Sequence, residues 1–219
     1  MITPLQKRSL HDLIHQPILF DANVFMAGIE YRSTDSNYSF AKMANLYIRP
    51  LMESFTEIYI HEEVYRELDK DARELIDQYV GRNATIVGEG DLYGRDPLYT
   101  TIFNNIAGHE LVRYQRGASK DRGEVYSLAY AAYHHMNYFS SREIMVDLIA
   151  RELPDLKDVE ILTFDVIMLQ AYVYYAERND HTYSKSLKAM YKRYCADVIK
   201  RHKLPPTLGE YIKECQQFL

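Results

Sequence analysis

The sequence predicts an α/β protein: a three-layer α/β/α sandwich around a central five-stranded parallel sheet, with helices added at the C-terminus. Three observations predict it. Short apolar runs such as Ile18–Phe20 recur along the chain and end in polar turns, the pattern of strands buried on both faces. Stretches with apolar residues at helical spacing alternate with these runs, which is the order of a parallel sheet with covered faces. Carboxylates gather just after the runs, at the edge where an open sheet binds its ligands.

The elements follow in order. Met1–Gln16 reads as a short helix or an arm, and Ile18–Phe20 as the first strand, opened by Pro17 and closed by Asp21. Gly28–Asn37 is polar and loop-like. Ser39–Phe55 carries Phe40, Met43, Ala44, Tyr47, Leu51 and Phe55 at helical spacing, and Pro50 should kink or split it. Glu57–Ile60 is the second strand. Helices over Glu62–Asp69 and Asp71–Val80 turn Val64, Leu68, Leu75, Ile76 and Tyr79 inward. Thr85–Val87 is the third strand, and a loop over Gly88–Pro97 leads to a helix over Leu98–Val112. After a basic loop (Tyr114–Lys120), Asp121–Met136 forms a helix that buries Val125, Leu128, Ala129, Ala132 and Met136. Asn137–Phe139, a helix over Glu143–Leu153, and Glu160–Thr163 supply the fourth and fifth strands with their connection. A helix from Val166 to Glu177, a polar break, and a helix over Ser184–Lys203 follow. Pro205 and Pro206 stop the latter, and Thr207-x-x-Glu210 starts a last helix as a capping box.

Composition narrows the classes. The chain has 219 residues, 47% of them apolar and 26% charged, with a net charge of −5, which describes an ordinary globular chain rather than a polycation. Charge is unevenly placed: from Ala171 to Leu219 nine Lys/Arg face five Asp/Glu, a net of +4, so the remainder carries −9. Such asymmetry suits an acidic site beside a phosphate-contacting surface, and it also suits plain solubility. Cys195 and Cys215 are too few for a disulfide framework, which points to a reducing, cytoplasmic setting. The N-terminal stretch lacks a signal peptide's apolar core, and no run of about 18 apolar residues could span a membrane.

The acids carry the chemistry. Asp21 ends the first strand with Asn23 two residues on. Glu63 and Glu67 lie one helical turn apart after the second strand, Asp121 and Glu124 open the long helix, Glu143 follows the fourth strand and Asp165 the fifth. With the first strand central, between the second and fourth, these ends meet in one crevice. Converging carboxylates cannot all stay ionised unless a cation joins them. Oxygen donors suit Mg²⁺ or Mn²⁺, which can activate water against a phosphodiester. Each piece also has a structural reading. Asp121-x-x-Glu124 fits a capping box, Glu67 could pair with Lys70, and Asp165 fits a helix cap. His61, beside the second strand's end, could touch substrate, but a capping or surface role fits it better.

Taken together, these segments resemble the PIN-domain family over roughly Pro17–Ala176. FDANVF (Phe20–Phe25) is similar to its opening strand with Asp21 and the supporting Asn23, and VYREL (Val64–Leu68) to its second motif, carrying Glu67. DRGEVYSLAYA (Asp121–Ala131) is similar to the Gly-Glu form of its third motif, with Glu124 and nearby Asp121. NYFSSRE (Asn137–Glu143) falls where the fourth strand and its acidic turn belong. The resemblance implies residues 1–176 as a PIN-like domain and 177–219 as a C-terminal helical extension. It also implies a metal-dependent ribonuclease that cleaves RNA with clustered carboxylates, many relatives being toxins of toxin–antitoxin pairs and others RNA-processing enzymes. On that reading Asp21, Glu67, Glu124 and Asp121 hold Mg²⁺ or Mn²⁺, and Asn23 and Ser141 support them. Single-stranded RNA is the partner, with an antitoxin or another protein and a homodimer as further expectations.

The fourth motif departs from the family: Ser140, Ser141 and Arg142 occupy a turn that ends in Asp elsewhere. Glu143, nineteen residues beyond Glu124, is the expected substitute; Asp165, forty-one residues beyond, is left as a helix cap. Lys188 and Lys192, interleaved with Tyr191 and Tyr194 on the basic tail, are candidate RNA-binding residues. Two alternatives stand beside the nuclease. A haloacid-dehalogenase-like phosphatase would need an acid where Asn23 stands. A catalytically degenerate PIN fold would bind RNA or protein without cleaving it.

Overall fold

The computed structural model describes residues 13–30, 40–113 and 121–189. It has the α/β class expected, with an all-parallel five-stranded sheet flanked by helices. The chain divides into two compact units, one of Pro17–Tyr31 with Glu57–Phe164, the other of Met1–Gln16, Arg32–Thr56 and Asp165–Leu219.

The first of these contains the whole sheet. Its strands are β1 (Ile18–Phe20), β2 (Ile58–His61), β3 (Ala84–Val87), β4 (Tyr138–Ser140) and β5 (Glu160–Leu162), in the order β3-β2-β1-β4-β5. β1 is therefore central, pairing Ile18 with Ile58 on one side and with Tyr138 on the other. Its three residues are wholly buried, which is why they read as a continuous apolar run rather than an alternation. Successive side chains point to opposite faces. Leu19, Phe139 and Ile161 join one core with α6 (Pro97–Ala107), α7 (Arg122–Tyr133) and α8 (Ile144–Glu152). Phe20, on the opposite face, meets Phe25 of α1 (Ala22–Glu30) edge to face at 5.9 Å. Between β2 and β3 lie α4 (Glu62–Glu67) and α5 (Lys70–Asp77). The five residues expected to face inward there, Val64, Leu68, Leu75, Ile76 and Tyr79, are all buried.

The other unit holds α2 (Phe40–Met43), α3 (Arg49–Ser54), α9 (Phe164–Glu177, from its second residue) and a further helical stretch over 181–189. Pro50 does not break its helix. The turn before it, Ala44–Ile48, widens to i→i+5 bonding, so that the Arg49 N–H reaches Ala44 O, and helical geometry continues into α3. Widening the turn removes the clash between the proline ring and the carbonyl four residues back.

Other local expectations change. Gly28–Glu30 belongs to α1 rather than to a loop, because the helix begun after Asp21 runs on past the glycine. α9 begins at Phe164, which puts Asp165 inside the first turn instead of at the cap. The expected helix or arm over Met1–Gln16 is a single tight turn at Leu13–His15 in its described part. The basic loop Tyr114–Lys120 and the chain beyond residue 189, Lys192 and the last capping box included, lie outside the described residues. No helix among the described residues is long and apolar enough to cross a membrane.

Candidate functional site

Asp21 stands where β1 gives way to α1 and is 1% exposed. A buried carboxylate needs donors, and the sequence around it supplies them. The Ala22 N–H donates to Oδ1 at 2.7 Å. Asn23 Nδ2 and the Ser141 hydroxyl both donate to Oδ2, at 2.5 and 2.9 Å. Asn23 also bridges the two strand ends: its Nδ2 lies 3.1 Å from Ser141 Oγ, and its Oδ1 accepts from the Arg142 N–H at 3.1 Å. The Ser140 carbonyl accepts from the Asp21 N–H. The two residues expected to support Asp21 thus do so directly, in a network that ties the end of β1 to the turn after β4.

α7 brings the third acidic position. Asp121 precedes it in the left-handed region, φ 56°, a conformation Asp tolerates better than most residues. Its carboxylate does not cap the helix. It accepts instead from the Arg113 N–H at 2.8 Å, so the capping-box alternative for Asp121 and Glu124 is not formed. Gly123, at the start of α7, donates its N–H to Glu67 Oε1 at 3.0 Å. A Cβ at Gly123 would lie 2.8 Å from that same oxygen and 3.2 Å from Val64 Cγ2. Glycine is what lets α4 and its Glu67 approach the helix N-terminus, a favourable seat for a carboxylate.

The charges of these acids feel one another. Burial first, then the Glu124 charge and more weakly that of Glu67, hold Asp21 well above the usual carboxylate range, against the pull of Ser141 and Ala22. Glu124 is pushed up to about 7, by desolvation and then by Glu67, Asp121 and Glu143, with its own backbone N–H opposing. Desolvation also raises Glu67, in spite of the Gly123 N–H and Arg122. Asp21, Glu67, Asp121, Glu124 and Glu143 therefore act in one electrostatic cluster, drawn from β1, α4, α7 and the turn after β4. Glu143 is exposed at the start of α8 and caps nothing with its side chain, while its N–H donates to Ser141 Oγ at 3.1 Å. Among the described residues, no three His, Cys, Asp or Glu side chains already stand in metal-ligand geometry.

Arg122 and Glu89 went unassigned at the sequence level, where Glu63 and His61 were named without these partners. Glu63 is buried and paired with Arg66 and with Arg122, the latter through Oε2 at 2.5 Å from Nε and Oε1 at 3.1 Å from Nη2. Only the Nη2–Oε1 contact has hydrogen-bond geometry, and the pair, with its carboxylate buried, is screened less than an exposed bridge. It clamps α4 to α7 beside Glu67. The signal was present, since Arg122 lies within DRGE and Glu63 sits one turn before Glu67, but nothing in the letters pairs residues 59 positions apart. His61 and Glu89 complete the set: the histidine does cap α4, as one alternative held, but from a buried rather than a surface position. Lys188 is exposed on the 181–189 stretch of the other unit.

No protein-family model, curated protein or solved structure matches the chain.

Proposed function

We propose that the chain is a Mg²⁺- or Mn²⁺-dependent endoribonuclease of PIN type, acting in the cytoplasm on single-stranded RNA. One observation carries this reading. Five carboxylates from four separated segments repel one another at the carboxyl edge of a parallel sheet, and two neutral polar residues hold the central one in place. A fold keeps self-repelling acids at a cost in stability, which a cation would offset. The donors are all hard oxygens, the set that Mg²⁺ and Mn²⁺ prefer. Asp21, Glu67, Glu124 and Asp121 would hold the cation, with Glu143 in place of the fourth acid. Once bound, the ion would supply an activated water and charge stabilisation at phosphorus. The protein's own part is to position: Asn23 and Ser141 aim Asp21, Gly123 seats Glu67, and the Glu63–Arg122 pair fixes α4 against α7. Lys188 and Lys192 would bind RNA phosphates, and an antitoxin-like partner and a homodimer belong to the same reading.

The test is metal-dependent cleavage of single-stranded RNA by the parent and by Asp21→Asn. The amide keeps the shape and removes the charge, so cleavage should disappear while the fold remains; a variant that cleaves at the parent rate would overturn the proposal. Thermal melts give a second measurement. Millimolar Mn²⁺ should raise the midpoint of the parent above its value in chelator, because a ligand bound only by the native state stabilises it by mass action. The shift should be lost in Asp21→Asn.

A second reading, a non-cleaving PIN-like module that binds RNA or protein, is favoured by the completeness of the bonding around Asp21. Both of its oxygens already accept hydrogen bonds, and the carboxyl is buried. On that reading neither Mn²⁺ nor Asp21→Asn changes RNA or protein binding.

A further inference from the structure

We infer that His61, held by Glu89, is a positioning residue for the acidic site: its ring carries the proton on Nε2 and fixes the start of α4, and with it Glu63 and Glu67. The inference rests on the cation-site reading above.

His61 is the last residue of β2, in register with Val87 of β3, and its side chain is 0% exposed. Its Nδ1 accepts from the Glu63 N–H at 3.2 Å, capping α4. A nitrogen that accepts carries no proton, so the neutral ring must bear its hydrogen on Nε2. Nε2 lies 3.1 Å from Glu89 Oε2, an ion-pair contact outside hydrogen-bond geometry, and neither atom has a hydrogen-bond partner among the described residues, so the two buried polar atoms face one another. Glu89 suits an ionised acceptor: against its own desolvation, the His61 ring, its own backbone N–H and Arg122 hold it below the usual range. The ring's face stacks on Tyr126 of α7 at 5.6 Å, and Tyr130 meets it edge-on at 5.9 Å.

One imidazole thus touches three segments that bear the site's charges: α4, the turn after β3, and α7. A link runs from Glu89 through His61 to the N-terminus of α4. It continues through Glu63 to Arg122 and, one residue on, to the Gly123 N–H that receives Glu67. Removing Glu89 would take the facing carboxylate away from a buried ring N–H and free the imidazole to change tautomer. The Glu63 N–H would then lose its acceptor, and Glu67 its fixed seat.

The experiment pairs a tautomer measurement with Mn²⁺ titration of the full chain by calorimetry. Long-range ¹H–¹⁵N spectra should show His61 protonated at Nε2 alone. His61→Asn keeps an oxygen to cap α4 but loses the link to Glu89 and the aromatic stack, and Glu89→Ala loses the link without touching α4. Both should weaken Mn²⁺ binding about tenfold or more, the usual cost of losing a partner behind a metal ligand. Glu89→Gln, which can still accept through its amide oxygen, should restore affinity to near the parent's. Melting curves identify any variant that has not folded, in which case the remaining one decides. An Nδ1-protonated ring would overturn the inference, as would parent affinity in both loss variants while Asp21→Asn binds nothing. A parent that binds no Mn²⁺ would overturn the cation reading and this inference with it, and the parent titration tells that result apart from failure of the inference alone.

Discussion

Glu124→Gln is expected to stabilise the metal-free protein at pH 8 by on the order of 3 kcal/mol, and to leave its stability at pH 4 nearly unchanged. Glu124 ionises in the folded protein at about 7 against an ordinary 4.5, raised by burial and by the charges of Glu67, Asp121 and Glu143. Below pH 4.5 the carboxyl keeps its proton in both states, and folding incurs no penalty from it. Between 4.5 and 7 the unfolded chain releases the proton while the folded one retains it, so stability falls as pH rises. Above 7 both states are ionised and the penalty is constant. Glutamine abolishes it and also relieves Asp21, whose carboxyl is raised in part by Glu124. Urea unfolding in chelator at the two pH values measures the difference. A variant no more stable than the parent at pH 8 would mean that the acids do not strain one another. On the proposed function the same substitution removes metal-dependent cleavage, so the site would trade stability for activity.

Gly123→Ala is expected to separate stability from function in the opposite sense. In an ordinary helix this change gains about 0.5–1 kcal/mol, because glycine loses more backbone freedom on folding. Here the new methyl would stand 2.8 Å from Glu67 Oε1. That atom is the free end of a flexible side chain, so Glu67 swings aside at little cost, and Val64, at 3.2 Å, yields by a few tenths of an ångström. The net stability change should stay within about 1 kcal/mol. The Gly123 N–H no longer receives Glu67, however, and Mn²⁺ affinity and cleavage should fall as far as in Glu67→Gln. A well-folded Gly123→Ala with parent Mn²⁺ affinity would show that the seat of Glu67 is immaterial.

What could be read from the letters follows from the range of the forces involved. β1 was legible because a strand buried on both faces must be apolar throughout, and Asp21 because a buried carboxylate at such a strand's end is costly unless it has a purpose. The central position of β1 followed from where the acids would have to meet, and the order β3-β2-β1-β4-β5 agrees. α1 went unread because Gly28 and the polar residues after it look like a loop, yet the packing of Val24 and Phe25 sustains the helix through Glu30. Asp121 looked like a cap, and an amide eight residues upstream, on Arg113, took its carboxylate instead. Pairings such as Glu63 with Arg122 and His61 with Glu89 depend on the register of β2 with β3 and on how α4 meets α7, which composition and periodicity do not encode.

The central place of β1 has a consequence for how the protein is made. β1 pairs on one flank with β2, about forty residues later, and on the other with β4, about one hundred and twenty residues later. Ser141, which clasps Asp21, is likewise 120 positions downstream. At a ribosomal pace of roughly 5–20 residues per second, β1 waits roughly 6–24 s for its second neighbour, and contacts of such long separation form slowly in any case. During that interval Asp21 lacks Ser141. A nascent chain therefore carries no finished crevice until the turn after β4 has left the exit tunnel.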